Sequence, residues 1–208
     1  MKHLALAFGM AVLLFAQAFA QSPSDQPTVT PCTLGAAQSP LIRGVKLGMS
    51  NQELFALFPG SAERGEIKSA LANVNGYPRF GLTDFYISPA DYSTKDRFAG
   101  IQQIYFVVFD GRVIRFQVYY AGPPAGAQWS RLDDFVAKVA DAFQLPPVTQ
   151  WPRSRERTGK SLKCSGFQME AETIDAKGSL IVSYPDFDKT RNERRAAYDE
   201  DQRRSFRP

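Results

Sequence analysis

This 208-residue chain has one histidine, the side chain most used for acid–base and metal chemistry, two cysteines and a scatter of carboxylates, and the histidine stands at position 3. Lys2, the apolar run over residues 4–15 and the small-x-small triplet Ala18-Phe19-Ala20 before Gln21 read as a secretory signal peptide over residues 1–20. The run is too short to span a bilayer. Cleavage near Ala20 and Gln21 removes His3. The mature chain then has no imidazole to activate a serine or cysteine and none to ligate a metal. No nucleophile elbow, phosphate-binding glycine loop or dinucleotide fingerprint is present. The sequence therefore implies no enzyme, no cofactor and no metal site.

The remaining chemistry rests on acids, thiols and cations. Asp84, Asp91, Asp96 and Asp110 stand in loops or at strand ends, with no spacing that forces two to converge as a glycosidase pair must. Asp110 is better explained as a turn residue before Gly111. Cys32 and Cys164, an even pair in an oxidising compartment, are expected to form one disulfide. Cations cluster twice. Arg153, Arg155 and Arg157 stand with Lys160 and Lys163, and the last twenty residues hold seven basic and four acidic side chains. Either group could face an anionic lipid or a cell-wall polymer, but interleaved acids weaken the field. The formal charge of +4 falls to +3 once Lys2 is removed, which argues for no nucleic acid.

These groups need a frame. Ser50 and Glu53 form a capping box, with Met49 and Leu54 at the positions of a hydrophobic staple, and Pro59-Gly60 ends the helix they open. Residues 67–74 fit helix or strand and are read as strand. Residues 80–87 read as strand. Residues 101–109 and 112–120 flank Asp110-Gly111, a hairpin signature. In the second arm Ile114, Phe116, Val118 and Tyr120 fall on one face, and Arg115, Gln117 and Tyr119 on the other. Ser130 and Asp133 open a second helix that carries Leu132, Phe135, Val136, Val139 and Phe143 at helical spacing. Strands follow over residues 162–173 and 179–184, with Gly166 as a candidate bulge. Beyond residue 188 apolar residues almost vanish, which fits a solvated helix or a disordered tail.

The expected fold class is α+β: a mainly antiparallel sheet with two helices packed on one face. The expected organisation is a signal peptide over 1–20, a proline-rich lead-in over 21–40, one domain over 41–187 and a charged tail over 188–208.

Two segments carry a resemblance. Leu47-Gly48-Met49-Ser50-Asn51-Gln52-Glu53-Leu54 is similar to the glycine, small cap and helix opening of bacterial outer-membrane assembly lipoproteins of the SmpA/OmlA type, a fold shared by β-lactamase-inhibitor-like proteins. Phe106-Val107-Val108-Phe109-Asp110-Gly111-Arg112-Val113 resembles that family's strand-turn-strand. The resemblance spans about residues 42–120 and implies a fold used to bind proteins without catalysis. This chain lacks a lipid-attachment cysteine at the cleavage site and carries a longer gap between helix and hairpin.

The resulting expectation is a non-catalytic binding or scaffolding protein, periplasmic or secreted, peripheral to a membrane at most. Its partner would be another envelope protein, met through Arg115, Gln117 and Tyr119 with help from Arg153, Arg155 and Arg157. A histidine-free carboxylate enzyme acting on an envelope glycan is the first alternative. An inhibitor of a secreted enzyme, presenting residues 85–92, is the second.

Overall fold

The computed structural model describes residues 31–74, 77, 79–123, 125–154, 159–185 and 187–205. Residues 1–30, which hold the expected signal peptide and the first half of the proline-rich lead-in, lie outside the described residues. Six antiparallel strands form one sheet in the order β1-β2-β3-β6-β5-β4: β1 Leu82–Ile87, β2 Ile101–Phe109, β3 Arg112–Tyr120, β4 Lys160–Lys163, β5 Gln168–Ile174 and β6 Lys177–Ser183. With helices α1 Asn51–Leu57, α2 Gly65–Ala72, α3 Leu132–Phe143 and α4 Phe187–Ser205, the class is α+β. The sheet consists of two three-stranded meanders joined along β3 and β6.

Local chemistry explains most elements. In α1 the box closes as its residues dictate: Glu53 N donates to Ser50 Oγ at 3.2 Å, and Ser50 N donates to Glu53 Oε2 at 2.7 Å. Those bonds hold the Glu53 carboxyl below its usual range. The hairpin turns through Asp110 and Gly111 at φ 49° and 73°, the left-handed pair that matches strand twist. The start of α1 is tied onto this turn, since Asn51 N donates to Gly111 O and Val113 N to Met49 O.

Several expectations are corrected. Residues 67–74 are mostly helix, not strand, because the Lys68-Ser69-Ala70-Leu71-Ala72 run has good helix formers and needs to bury only Ile67. Ser130 does not cap α3. The helix begins at Leu132 with Arg131 at its N-cap, and Asp133 instead accepts from Lys160 Nζ at 2.9 Å. Residues 162–173 hold a turn rather than one bulged strand. Cys164 N donates to Phe167 O at 2.9 Å, and β4 and β5 pair as a hairpin. Glycine is required at 166 because a Cβ there would run into the Ala36 amide. Ile114 leaves the core face. The β2–β3 register shifts so that Val107 pairs with Arg115 and Val108 with Val113, leaving Ile114 as the extra residue of a bulge.

The inner face of the sheet holds the core. Phe85, Ile104, Phe106, Val108, Val113, Phe116, Val118, Met169, Leu180 and Val182 are buried in one cluster with Leu54, Ile67, Phe135, Val136 and Val139 from α1, α2 and α3. Trp151 is also buried and donates Nε1 to Pro146 O at 2.9 Å.

Cys32 and Cys164 are bonded, across 132 residues. Ser165 N and Gly166 N donate to Cys32 O and Leu34 O, so residues 32–38 belong to the fold. Closing so long a loop stabilises by about 5 kcal/mol at most in the chain-entropy account. The C-terminal segment is helical. From α4, Arg194 donates Nη1 and Nη2 to both Asp110 carboxylate oxygens, at 2.9 and 2.6 Å. Tyr198 stacks on Tyr77 and meets Phe80 edge-on. The helix thereby straps the turn end of the hairpin.

Candidate functional site

Alternation along β3 sends Arg115, Gln117 and Tyr119 to the outer face of the sheet, opposite Phe116 and Val118. Antiparallel pairing then fixes their neighbours. Across the sheet one outer row runs Tyr86, Tyr105, Gln117, Ile181, Glu170 and Ser161. A second runs Asp84, Val107, Arg115, Ser183, Gln168 and Lys163. A third holds Gln103, Tyr119, Ser179 and Glu172.

This face is polar yet not uniformly wet. Gln117 is only 6% exposed. Its Nε2 donates to Ser179 Oγ at 2.9 Å and to Glu172 Oε1 at 3.4 Å. Val107 and Ile181 are buried beside it, outside the inner cluster. Tyr105 donates to Asp84 Oδ2 at 3.2 Å, and burial, then the Asp84 charge, pushes its phenol up to about 12. Tyr119 is shifted in the same direction, by burial first and then by Tyr86 and Glu172. Both phenols remain neutral donors at physiological pH. The Tyr86 ring packs 4.7 Å from that of Tyr105 and is 52% exposed.

Two buried atoms on this face have no hydrogen-bond partner among the described residues: Arg115 Nε and Glu170 Oε1. Both side chains line a cavity of about 290 Å³, shared with Ser161, Gln168 and Ser183. An orphaned buried donor or acceptor costs about 1–3 kcal/mol, so a ligand supplying one acceptor and one donor there would recover that cost.

The other sequence-derived candidates scatter. Arg153 is exposed and bridges backbone to backbone with Lys160 on the edge strand. Arg155 and Arg157 lie outside the described residues. Among the acids, Asp84 pairs with Arg79, Asp91 with Arg64 and Asp110 with Arg194. In the 85–92 segment Phe85 and Tyr92 turn into the core, leaving Tyr86 as its exposed aromatic. Sequence reasoning missed Tyr86, Tyr105, Glu170, Glu172 and Ser179. Alternation in β1 and β5 carried the signal, but only the register places those residues beside β3. No protein family, curated protein or solved structure matches the chain.

Proposed function

We propose that this chain is a non-catalytic binding protein of the bacterial cell envelope, which recognises another envelope protein through the outer face of β3. The observation that carries this reading is the pair of unpartnered buried atoms, Arg115 Nε and Glu170 Oε1, whose side chains line one cavity on this face. A peptide unit supplies one acceptor and one donor, the complement of that pair. With Leu54, Ile67 and Phe135 of α1, α2 and α3 buried in the inner-face cluster, the outer face is the surface left for a partner. Tyrosine next to arginine is also the composition of interface hot spots. The resemblance to the SmpA/OmlA type points the same way, toward protein binding without catalysis, and the signal peptide supports a periplasmic or secreted location.

The test is cross-linking in the native envelope fraction followed by mass spectrometry. The unaltered chain is expected to capture one protein in fixed stoichiometry. Arg115→Glu combined with Tyr119→Ala is expected to abolish the capture with the thermal midpoint nearly unchanged. Capture that survives the double substitution would sink the site assignment.

A further inference from the structure

At the end of the hairpin away from Asp110 and Gly111, the inner layer is not closed. Ile101 begins β2 there and Tyr120 ends β3. Together with Ile42, α3, Gly126, Ala127 and Trp129 they bound a cleft of about 450 Å³. That volume lies within the range of small-molecule sites, about 300–1,000 Å³.

Its walls are aromatic and aliphatic. Tyr120 meets Phe135 edge-on at 5.8 Å, and Trp129 lies 5.3 Å from the same ring. Val139, Ala142 and Phe143 extend the apolar wall along α3. Leu41, at the mouth, is 60% exposed.

Among the described residues only two charged side chains line the cleft, Arg43 and Lys138, and both are cations. Each is exposed, so the charge sits where the cleft opens to solvent. Neither forms an ion pair among the described residues, although Asp134 and Asp141 stand one turn from Lys138 on the same helix. Arg43 is held at φ 53° in a tight turn closed by Ile42 and Val45. A left-handed arginine costs about 1–2 kcal/mol, so the turn holds this residue at the rim against its backbone preference. The Tyr120 hydroxyl has no hydrogen-bond partner among the described residues, and burial pushes its phenol up to about 12, keeping it a neutral donor.

We infer that this cleft binds a long-chain carboxylic acid, its hydrocarbon tail against Tyr120, Trp129, Phe135 and Phe143 and its carboxylate at Arg43 and Lys138. An apolar trough alone would accept any hydrophobe. The two unpaired cations at its mouth select an anionic head. This inference is independent of the outer-face reading, because it uses the other face of the sheet and none of the same side chains.

Trp129 provides the readout, since it lines the cleft while the second tryptophan, Trp151, is buried elsewhere in the core. The purified protein is titrated with hexadecanoate, and separately with hexadecanol, while tryptophan emission is followed. Saturable binding of the acid is expected, about thirtyfold tighter than the alcohol if two rim pairs act at the upper end of exposed ion pairs. Arg43→Gln with Lys138→Gln should erase the difference between acid and alcohol, while the far-ultraviolet circular dichroism stays unchanged. Ala142→Trp, which fills the trough, should abolish binding of both. Absence of saturable acid binding, equal affinity for the two ligands in the unaltered protein, or an acid preference that survives the double glutamine substitution would overturn the inference.

Discussion

The two faces of the sheet are built by the same strands and obey different rules. On the inner face Ile104, Phe106, Val108, Phe116, Val118, Leu180 and Val182 are fully buried, all of them apolar. On the outer face Gln117, Glu172 and Ser179 are nearly as inaccessible, yet each is polar. The inner face needs only the right apolar volume to exclude water. The outer face must satisfy donors and acceptors one by one, and among the described residues it leaves Arg115 Nε and Glu170 Oε1 over. A half-satisfied polar layer has an unmet demand that a partner can supply, whereas the apolar layer has none where it is sealed, away from the cleft beside Tyr120.

Substitutions in β3 can break this contrast. Phe116→Ala should cost about 3–5 kcal/mol, the loss expected when an aromatic core side chain leaves a cavity. Urea unfolding would measure it, and a loss below about 1 kcal/mol would mean the inner face collapses as freely as a surface. Gln117→Ala should cost less, about 1–3 kcal/mol, by depriving Ser179 and Glu172 of a donor in a buried place. Equal losses for the two substitutions would erase the distinction.

The smallest effect sharpens the contrast at its margin, where α4 meets the exposed turn. The bidentate bond from Arg194 holds the Asp110 carboxyl below its usual range. The folded protein therefore takes up this proton less readily than the unfolded chain. The stabilisation is fully present above the ordinary aspartate value near 3.9 and is lost as pH falls through the lower folded value. Both partners are nearly half exposed, so the pair is worth about 0–1 kcal/mol. Asp110→Asn, which the left-handed turn tolerates, should flatten the acid limb of stability against pH slightly and leave the neutral plateau within that range. A large drop at pH 7 would mean that α4 holds the hairpin far more tightly than an exposed ion pair can.

What could be read from the chain follows the range of the interactions. Ser50 and Glu53 act across three residues, and Asp110-Gly111 across two, so the capped helix and the hairpin were legible from sequence alone. The amphipathic stripe of α3 was legible for the same reason. The start of that helix was not, because Lys160, far along the chain, takes the Asp133 carboxylate that a capping box at Ser130 would have used. Ile114 shows the same limit: alternation assigns it inward, and a bulge set by the partner strand moves it out. At the candidate site, Arg115, Gln117 and Tyr119 were readable as one face of one strand. Their neighbours Ser179 and Glu172 stand 62 and 55 residues from Gln117, and only the strand order brings them there.

That strand order also sets a folding problem. Each meander can zip locally, β2 onto β3 and β5 onto β6, through two-residue turns. The seam between them cannot, since Arg115 pairs with Ser183 and Tyr119 with Ser179, at sequence distances of 68 and 60. Long loop closures of this kind slow folding, so docking of two preformed half-sheets is the expected slow step. The bond from Cys32 to Cys164 reaches from ahead of the first meander into the second. Reducing it should lengthen the search for that seam while the two hairpins form at their usual pace.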